Sequence, residues 1–233
     1  MACRQHEAYE RLLGDLGCIV HRLPAEPDLP DSVFIEDTCV VLDEVAVIAR
    51  PGADSRRPET RGVAERLRSH RRLQAVAPPG TLDGGDVLAL GKALYVGLST
   101  RSNEAAVKQL QRVLEPWGYA VRGVPVQGCL HLKSAVTAVA RKTVLLNRAW
   151  VDPGAFGDVH VIDVDPDEPA AANALRLADR VIFPTGFPGT ARRLAAAGIR
   201  VAAIEVSELQ KAEGGVTCCS VIYEPSAAPL TLP

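Results

Sequence analysis
The feature that most constrains this chain is a layout that repeats. The order strand, tight turn, strand, helix, strand recurs along it. Polar residues near the start of each unit are evenly spaced. Glu36 lies 47 residues before Asp83, and Asp83 lies 48 before His131; Asn173 follows after 42 and Cys218 after a further 45. Periods of this length mark a repeat architecture, in which a unit too small to bury its own apolar face stacks on its neighbours. A closed ring of such units is a small propeller with α/β blades. Equivalent positions then face a common axis, so Glu36, Asp83, His131 and Cys218 are expected to meet there.

The elements follow from local pattern. A helix is expected over 4–16, with Tyr9, Leu12, Leu13 and Leu16 on one face and Gly17 as its stop. A strand at 18–23 and a Pro- and Asp-rich loop at 24–32 follow. Apolar runs at 33–42 and 45–49, broken by Asp43-Glu44, make a hairpin. A helix at 58–70 and a strand at 73–77 come next. A second hairpin, 86–90 and 93–98, turns at Gly91-Lys92. Ser102 is the expected N-cap of a helix whose period runs through Val107, Leu110, Val113 and Leu114 until Pro116. A strand at 119–126 precedes a third hairpin, 135–139 and 144–147. The remainder reads as a strand at 158–163, a helix at 168–179, a strand at 181–183 and a helix at 190–198. It closes with a strand at 200–205, a helix started by a Ser207/Gln210 capping box, and a strand at 218–223. The stretch Thr185–Thr190 has the glycines of a phosphate loop but lacks its Gly-Lys ending, and reads as a turn.

Composition excludes several classes. The net charge is −2, which offers no basic excess for nucleic acid. No apolar run approaches the roughly 20 residues of a membrane span, and the first residues lack the layout of a signal peptide. A cytoplasmic protein is expected, in one domain over 1–233. The six cysteines, Cys3, Cys18, Cys39, Cys129, Cys218 and Cys219, are scattered without a Cys-x-x-Cys pair. They read as reduced thiols.

The chemistry rests on residue type. Cysteine attacks only as thiolate. A histidine supplies the base, and a carboxylate holds that histidine in the useful tautomer. Cys218, His131 and Asp83 are those three types, and Gly214-Gly215 before Cys218 allow close approach of a ligand. A lone cysteine or histidine is more often a packed core residue, so spacing alone leaves both readings open. Asp31, Glu36 and Asp37 interrupt an apolar run, where a buried acid needs a cationic partner. A guanidinium suits them. Arg56 and Arg101 each follow a hairpin and are placed to clamp a ligand carboxylate.

Six stretches carry a resemblance: Leu29–Asp37, Arg50–Arg57, Leu82-Asp-Gly-Gly-Asp-Val-Leu88, Tyr95–Arg101, His131-Leu-Lys-Ser134 and Thr217-Cys-Cys-Ser220. In order and spacing the chain resembles the dimethylarginine dimethylaminohydrolases of the pentein, or guanidine-modifying, superfamily. The resemblance implies a five-bladed ββαβ propeller and hydrolysis of methylated arginine to citrulline without a cofactor. It implies Cys218, not Cys219, as nucleophile, His131 as general acid/base and Asp83 as its orienting carboxylate. It puts Asp31, Glu36 and Asp37 on the guanidinium side and Arg56 and Arg101 on the amino-acid end. It puts the carbonyl of Ala212 at the substrate amine. It implies that zinc at Cys218 is inhibitory, and that the protein is a monomer or homodimer whose partner is the small substrate. Family members carry a further edge strand and a mobile lid before the first helix. An incomplete first blade and an open pocket are therefore expected. An arginine deiminase releasing ammonia, or a guanidine-binding protein without turnover, are the competing readings.

Overall fold
The computed structural model describes residues 1–225. Helix α1 (Ala2–Asp15) opens the chain and buries Gln5, Tyr9 and Leu13, a four-residue spacing that makes one face. The next elements are strands β1 (Cys39–Val41) and β2 (Val45–Ile48), helix α2 (Thr60–Leu67) and strand β3 (Arg72–Ala75). A second set repeats the order: β4 (Val87–Leu90), β5 (Ala93–Leu98), helix α3 (Glu104–Leu114) and β6 (Ala120–Pro125). A third has the single turn α4 (Leu132–Ala135), then β7 (Val136–Ala140), β8 (Thr143–Leu146) and β9 (His160–Asp163). The fourth has β10 (Leu175–Leu177), β11 (Arg180–Pro184), α5 (Pro188–Ala196) and β12 (Arg200–Ile204), and α6 (Ser207–Gln210) follows.

Among the described residues these strands form four three-stranded sheets, each built alike. An antiparallel hairpin is joined by a parallel third strand: β3 beside β2, β6 beside β5, β9 beside β8 and β12 beside β11. The crossovers run through α2, α3 and α5, and through a 3-10 turn at Pro153–Phe156 in the third sheet. A parallel neighbour needs such a crossover. The middle strand is the most buried member of each sheet. All four residues of β2 and the central residues of β5 are buried, whereas β3 is largely exposed and β12 only partly buried. Middle strands therefore read as unbroken apolar runs, and the outer strands carry Arg72, Gln74, Arg122 and Arg200.

The chain divides into two compact units. One comprises Leu23–Val126, Leu130–Leu132 and the chain from Cys218. Its core joins Val45 and Val47 of β2, Leu94 and Val96 of β5, and Leu110 and Leu114 of α3. A second cluster packs α2 residues Val63 and Leu67 on Cys39, Ala46 and Ile48, with Val221 and Tyr223 against it. The other unit comprises Met1–Arg22, Gln127–Cys129 and Lys133–Thr217, and its core gathers Leu145, Ile162, Val181, Phe183 and Leu194. No described helix is long and apolar enough to cross a membrane.

Most expected elements form; several details differ. Residues 18–23 pair with no strand, and Ile19 is 82 % exposed, so an apolar run alone did not secure a partner. Residues 35–38 are a 3-10 turn and not strand. The expected helix at 168–179 is a buried turn followed by β10, which pairs with β11 around Ala178 at φ +51. The five alanines and two leucines of this run fit a helical period, but the repeat required a hairpin there, and tertiary pairing won. Residues 218–223 form a turn and then irregular chain, held by packing of Val221 and Tyr223 and not by a ladder. At α6 no side-chain cap forms from Ser207; the Gln5 carbonyl oxygen accepts from the Glu208 N–H at 2.9 Å.

Candidate active site
The site residues cluster in the unit that holds β1–β6. Asp83 ends the bridge that pairs Arg50 with Leu82, just before β4. It is fully buried, and every polar part of it is used. Its N–H donates to Ser102 Oγ at 3.0 Å, Oδ1 accepts from the Gly52 N–H at 2.9 Å, and Oδ2 lies 3.0 Å from His131 Nε2. The backbone after Asp83 passes so close to its neighbours that only glycine fits. A Cβ on Gly84 would lie 2.0 Å from the Glu36 carbonyl oxygen, and one on Gly85 2.6 Å from Asp37 Oδ1 and 2.9 Å from His131 Nδ1. The Gly-Gly pair is therefore a consequence of this approach.

His131 precedes α4 and is buried. Its Nδ1 lies 3.9 Å from Asp37 Oδ1. Burial pushes the ring toward the neutral form. The Asp83 hydrogen bond and the charges of Asp37, Asp86 and Asp83 outweigh it, and the His131 pKa is raised. A base so placed holds a proton well and can return it.

Asp37 sits in the 3-10 turn before β1. Its Oδ1 accepts from the Gly85 N–H at 2.9 Å, and its Oδ2 pairs with Arg56 Nη1 at 2.6 Å. Arg56 is itself buried. Its Nε and Nη2 reach Glu59, and Nη2 also donates to the carbonyls of Asp31 and Phe34. Burial alone would lower the Arg56 pKa; Glu59 and Asp37 reverse that and raise it. Burial raises the Glu59 carboxyl despite Arg56. Of the acids in the apolar run, the Asp37 carboxylate holds a guanidinium, and it is the protein's own. The expected clamp by Arg56 on a ligand carboxylate meets a side chain whose donors are committed inside the protein.

Arg101 differs. Its side chain is 27 % exposed, and Nη1 is buried, makes no hydrogen bond and lies 4.0 Å from Asp83 Oδ2. A buried guanidinium nitrogen without an acceptor is costly, and a ligand carboxylate is the acceptor it suits. Gly52 presses on the same residue: a Cβ there would lie 2.5 Å from the Arg101 carbonyl oxygen.

The Cys218 carbonyl accepts from the Glu36 N–H at 3.0 Å, which ties the cysteine's backbone to the turn carrying Asp37. Cys218 and Glu36 are half-buried. Burial pushes the thiol of Cys219 far up, and the charges of Cys218, Glu36 and Asp37 add to it, so Cys219 stays protonated. Asp31 is exposed, its carbonyl on Arg56. Ala212 is an exposed turn residue in the other unit. No disulfide forms among the six cysteines, all of which are described. Asp37, Asp83 and His131 offer ligand atoms within 4.8 Å of one another, a group that does not include Cys218.

Sequence reasoning did not single out Gly52, Glu59, Asp86 or Ser99. The acid of Gly-Gly-Asp at a strand start was the available signal for Asp86. Glu59, three residues after Arg56, was the signal for the buried pair.

The fold is shared with the N-terminal domain of ArgZ, a cyanobacterial arginine dihydrolase bound to its product, which superposes at TM-score 0.84. It is 19 % identical, over 94 % of this chain and 85 % of that one. The family model for N,N dimethylarginine dimethylhydrolase, eukaryotic, matches residues 1–152. The N(G),N(G)-dimethylarginine dimethylaminohydrolase of Streptomyces coelicolor is 43 % identical over 95 % of this chain and 85 % of its own. A cysteine-to-serine variant of the Pseudomonas aeruginosa enzyme, complexed with citrulline, is 34 % identical with TM-score 0.89, covering 94 % and 86 % of the two chains. The chain belongs to the dimethylarginine dimethylaminohydrolase family.

Proposed function
We propose that this chain hydrolyses N-omega-methylated arginine to citrulline and dimethylamine or methylamine, with Cys218 as nucleophile. The observation that carries the reading is the buried Asp83–His131 pair at 3.0 Å, locked from behind by Gly52 and Ser102. Family membership supplies the substrate class, and the citrulline complex of the Pseudomonas relative supports the product. The reading takes 1–233 as one guanidine-hydrolase domain of the five-bladed pentein type.

Glu36 and Asp37 mark the guanidinium end, with Asp31 at its exposed rim. Arg101 takes the substrate carboxylate. Arg56 acts indirectly, by fixing the Asp37 carboxylate in place. The Cys218 thiolate attacks the central guanidinium carbon and forms the C–S bond. His131 gives its proton to the leaving amine as the C–N bond breaks. A thiouronium intermediate remains. Water then attacks the same carbon, His131 takes its proton, and the C–S bond breaks to return the thiolate and release citrulline. Asp83 orients the ring throughout and does not react. All groups come from the protein, and no cofactor takes part.

The test is product analysis with asymmetric dimethylarginine, monomethylarginine and arginine. Citrulline and methylated amine in equal amounts are expected, and none from Cys218→Ser. Ammonia from arginine at a higher rate than either amine would replace this reading with a deiminase. Citrulline formation by Cys218→Ser would sink the mechanism.

A further inference from the structure
The carboxylate of Asp86 takes no part in the chemistry above, yet it is fully buried, and burial raises its pKa against the charge of His131 and its own hydrogen bonds. A desolvated acid is costly, and apolar side chains pack a sheet edge without that cost. Its contacts show what it does. Oδ1 accepts from the Leu132 N–H at 2.9 Å, the residue after His131. Oδ2 accepts from the Ser99 hydroxyl at 2.7 Å. Ser99 Oγ accepts in turn from the N–H groups of Arg101 at 2.9 Å and Ser102 at 3.2 Å. Ser102 Oγ accepts from the N–H of Asp83. Gly97 makes the room: a Cβ there would lie 2.5 Å from Asp86 Oδ1.

We propose that Asp86 is a positioning residue for the reaction, setting His131 through Leu132, Arg101 through Ser99, and Asp83 through Ser99 and Ser102. This rests on the function proposed above, in which His131 and Arg101 act on the substrate and Asp83 orients His131. One carboxylate thereby fixes the base, its orienting acid and the carboxylate grip in a single hydrogen-bonded frame. The charged groups facing His131 are Asp83, Asp37 and Asp86, with Arg56 on Asp37 and Arg101 4.0 Å from Asp83.

The test uses Asp86→Asn and Ser99→Ala in the full chain, each checked for folding by circular dichroism. Asp86→Asn keeps size and one acceptor for Leu132 but loses the charge and the acceptor for Ser99. Titration of the His131 ring by NMR, without substrate, should move to lower pH by about one unit. The kcat for methylarginine should fall on the order of tenfold with KM little changed. Ser99→Ala cuts the arms to Arg101 and to Ser102, so KM should rise about fivefold, the equivalent of one hydrogen bond, while the His131 titration moves less than in Asp86→Asn. An unmoved His131 titration in a folded Asp86→Asn protein overturns the proposal. If Asp86→Asn does not fold, Ser99→Ala decides: a raised KM supports the frame, and kinetics within about twofold of wild type overturn it. Because the titration needs no substrate, it reads out even if the wild type makes no citrulline, so the two proposals fail separately.

Discussion
At the scale of single residues, the two adjacent cysteines are not equivalent. The Cys219 thiol is held protonated by burial and by the negative charges beside it, so Cys219→Ser should keep most of the activity while Cys218→Ser loses it. A substrate-like haloacetamidine should label Cys218 first, which mass spectrometry of the digested protein will locate. The two arginines separate as sharply. Arg56→Ala leaves Asp37 and Glu59 buried without their cation, and should cost about 3–5 kcal/mol of stability in urea unfolding. Arg101→Ala should leave unfolding unchanged and raise KM by on the order of tenfold or more. His131 adds a pH signature. Its folded pKa is raised, so its stabilising effect is full below its ordinary value near 6.5 and is lost as pH rises through the raised value. The Tm of the wild type minus that of His131→Asn should therefore shrink between about pH 6 and pH 9.

At the scale of elements, the start of α3 shows how neighbouring residues divide structural and functional work. Ser102 has the chemistry of an N-cap, but its hydroxyl accepts from Asp83. Asn103 is the cap, its side-chain oxygen accepting from the Ala106 N–H at 3.0 Å. Asn103→Ala should lower stability by about 1 kcal/mol with kcat little changed. Ser102→Ala should do the reverse, since it loosens Asp83 and leaves the helix cap intact. Paired kinetic and unfolding measurements on the two variants check this. The sequence could not separate them, because either residue type caps a helix and the choice depends on a contact 19 residues away.

At the scale of the whole molecule, binding of product couples to stability. Citrulline at a hundred times its Kd should stabilise the folded protein by about 2.7 kcal/mol, raising Tm by about 5 °C or more for a chain of this size. The shift should be much smaller in Arg101→Ala. Differential scanning calorimetry with and without citrulline measures it. The sequence by itself determined the repeated unit, because apolar runs, tight turns and helical periods are local and each is set by side chains within a few residues. The hairpins at 86–98 and 135–147 and the helices α1, α3 and α5 are legible for that reason. The near-constant spacing of Glu36, Asp83 and His131 brought them to one site, since a repeated unit returns the chain to equivalent positions. Only the tertiary structure decided how polar groups are shared. Arg56 reads as a clamp until Asp37 and Glu59 are seen around it, and 168–179 reads as a helix until β11 offers a ladder. Asp86 reads as one more acid at a strand start until Leu132 and Ser99 close on it. Burial and hydrogen bonding between residues far apart in sequence set these outcomes, and neither is written in a local pattern.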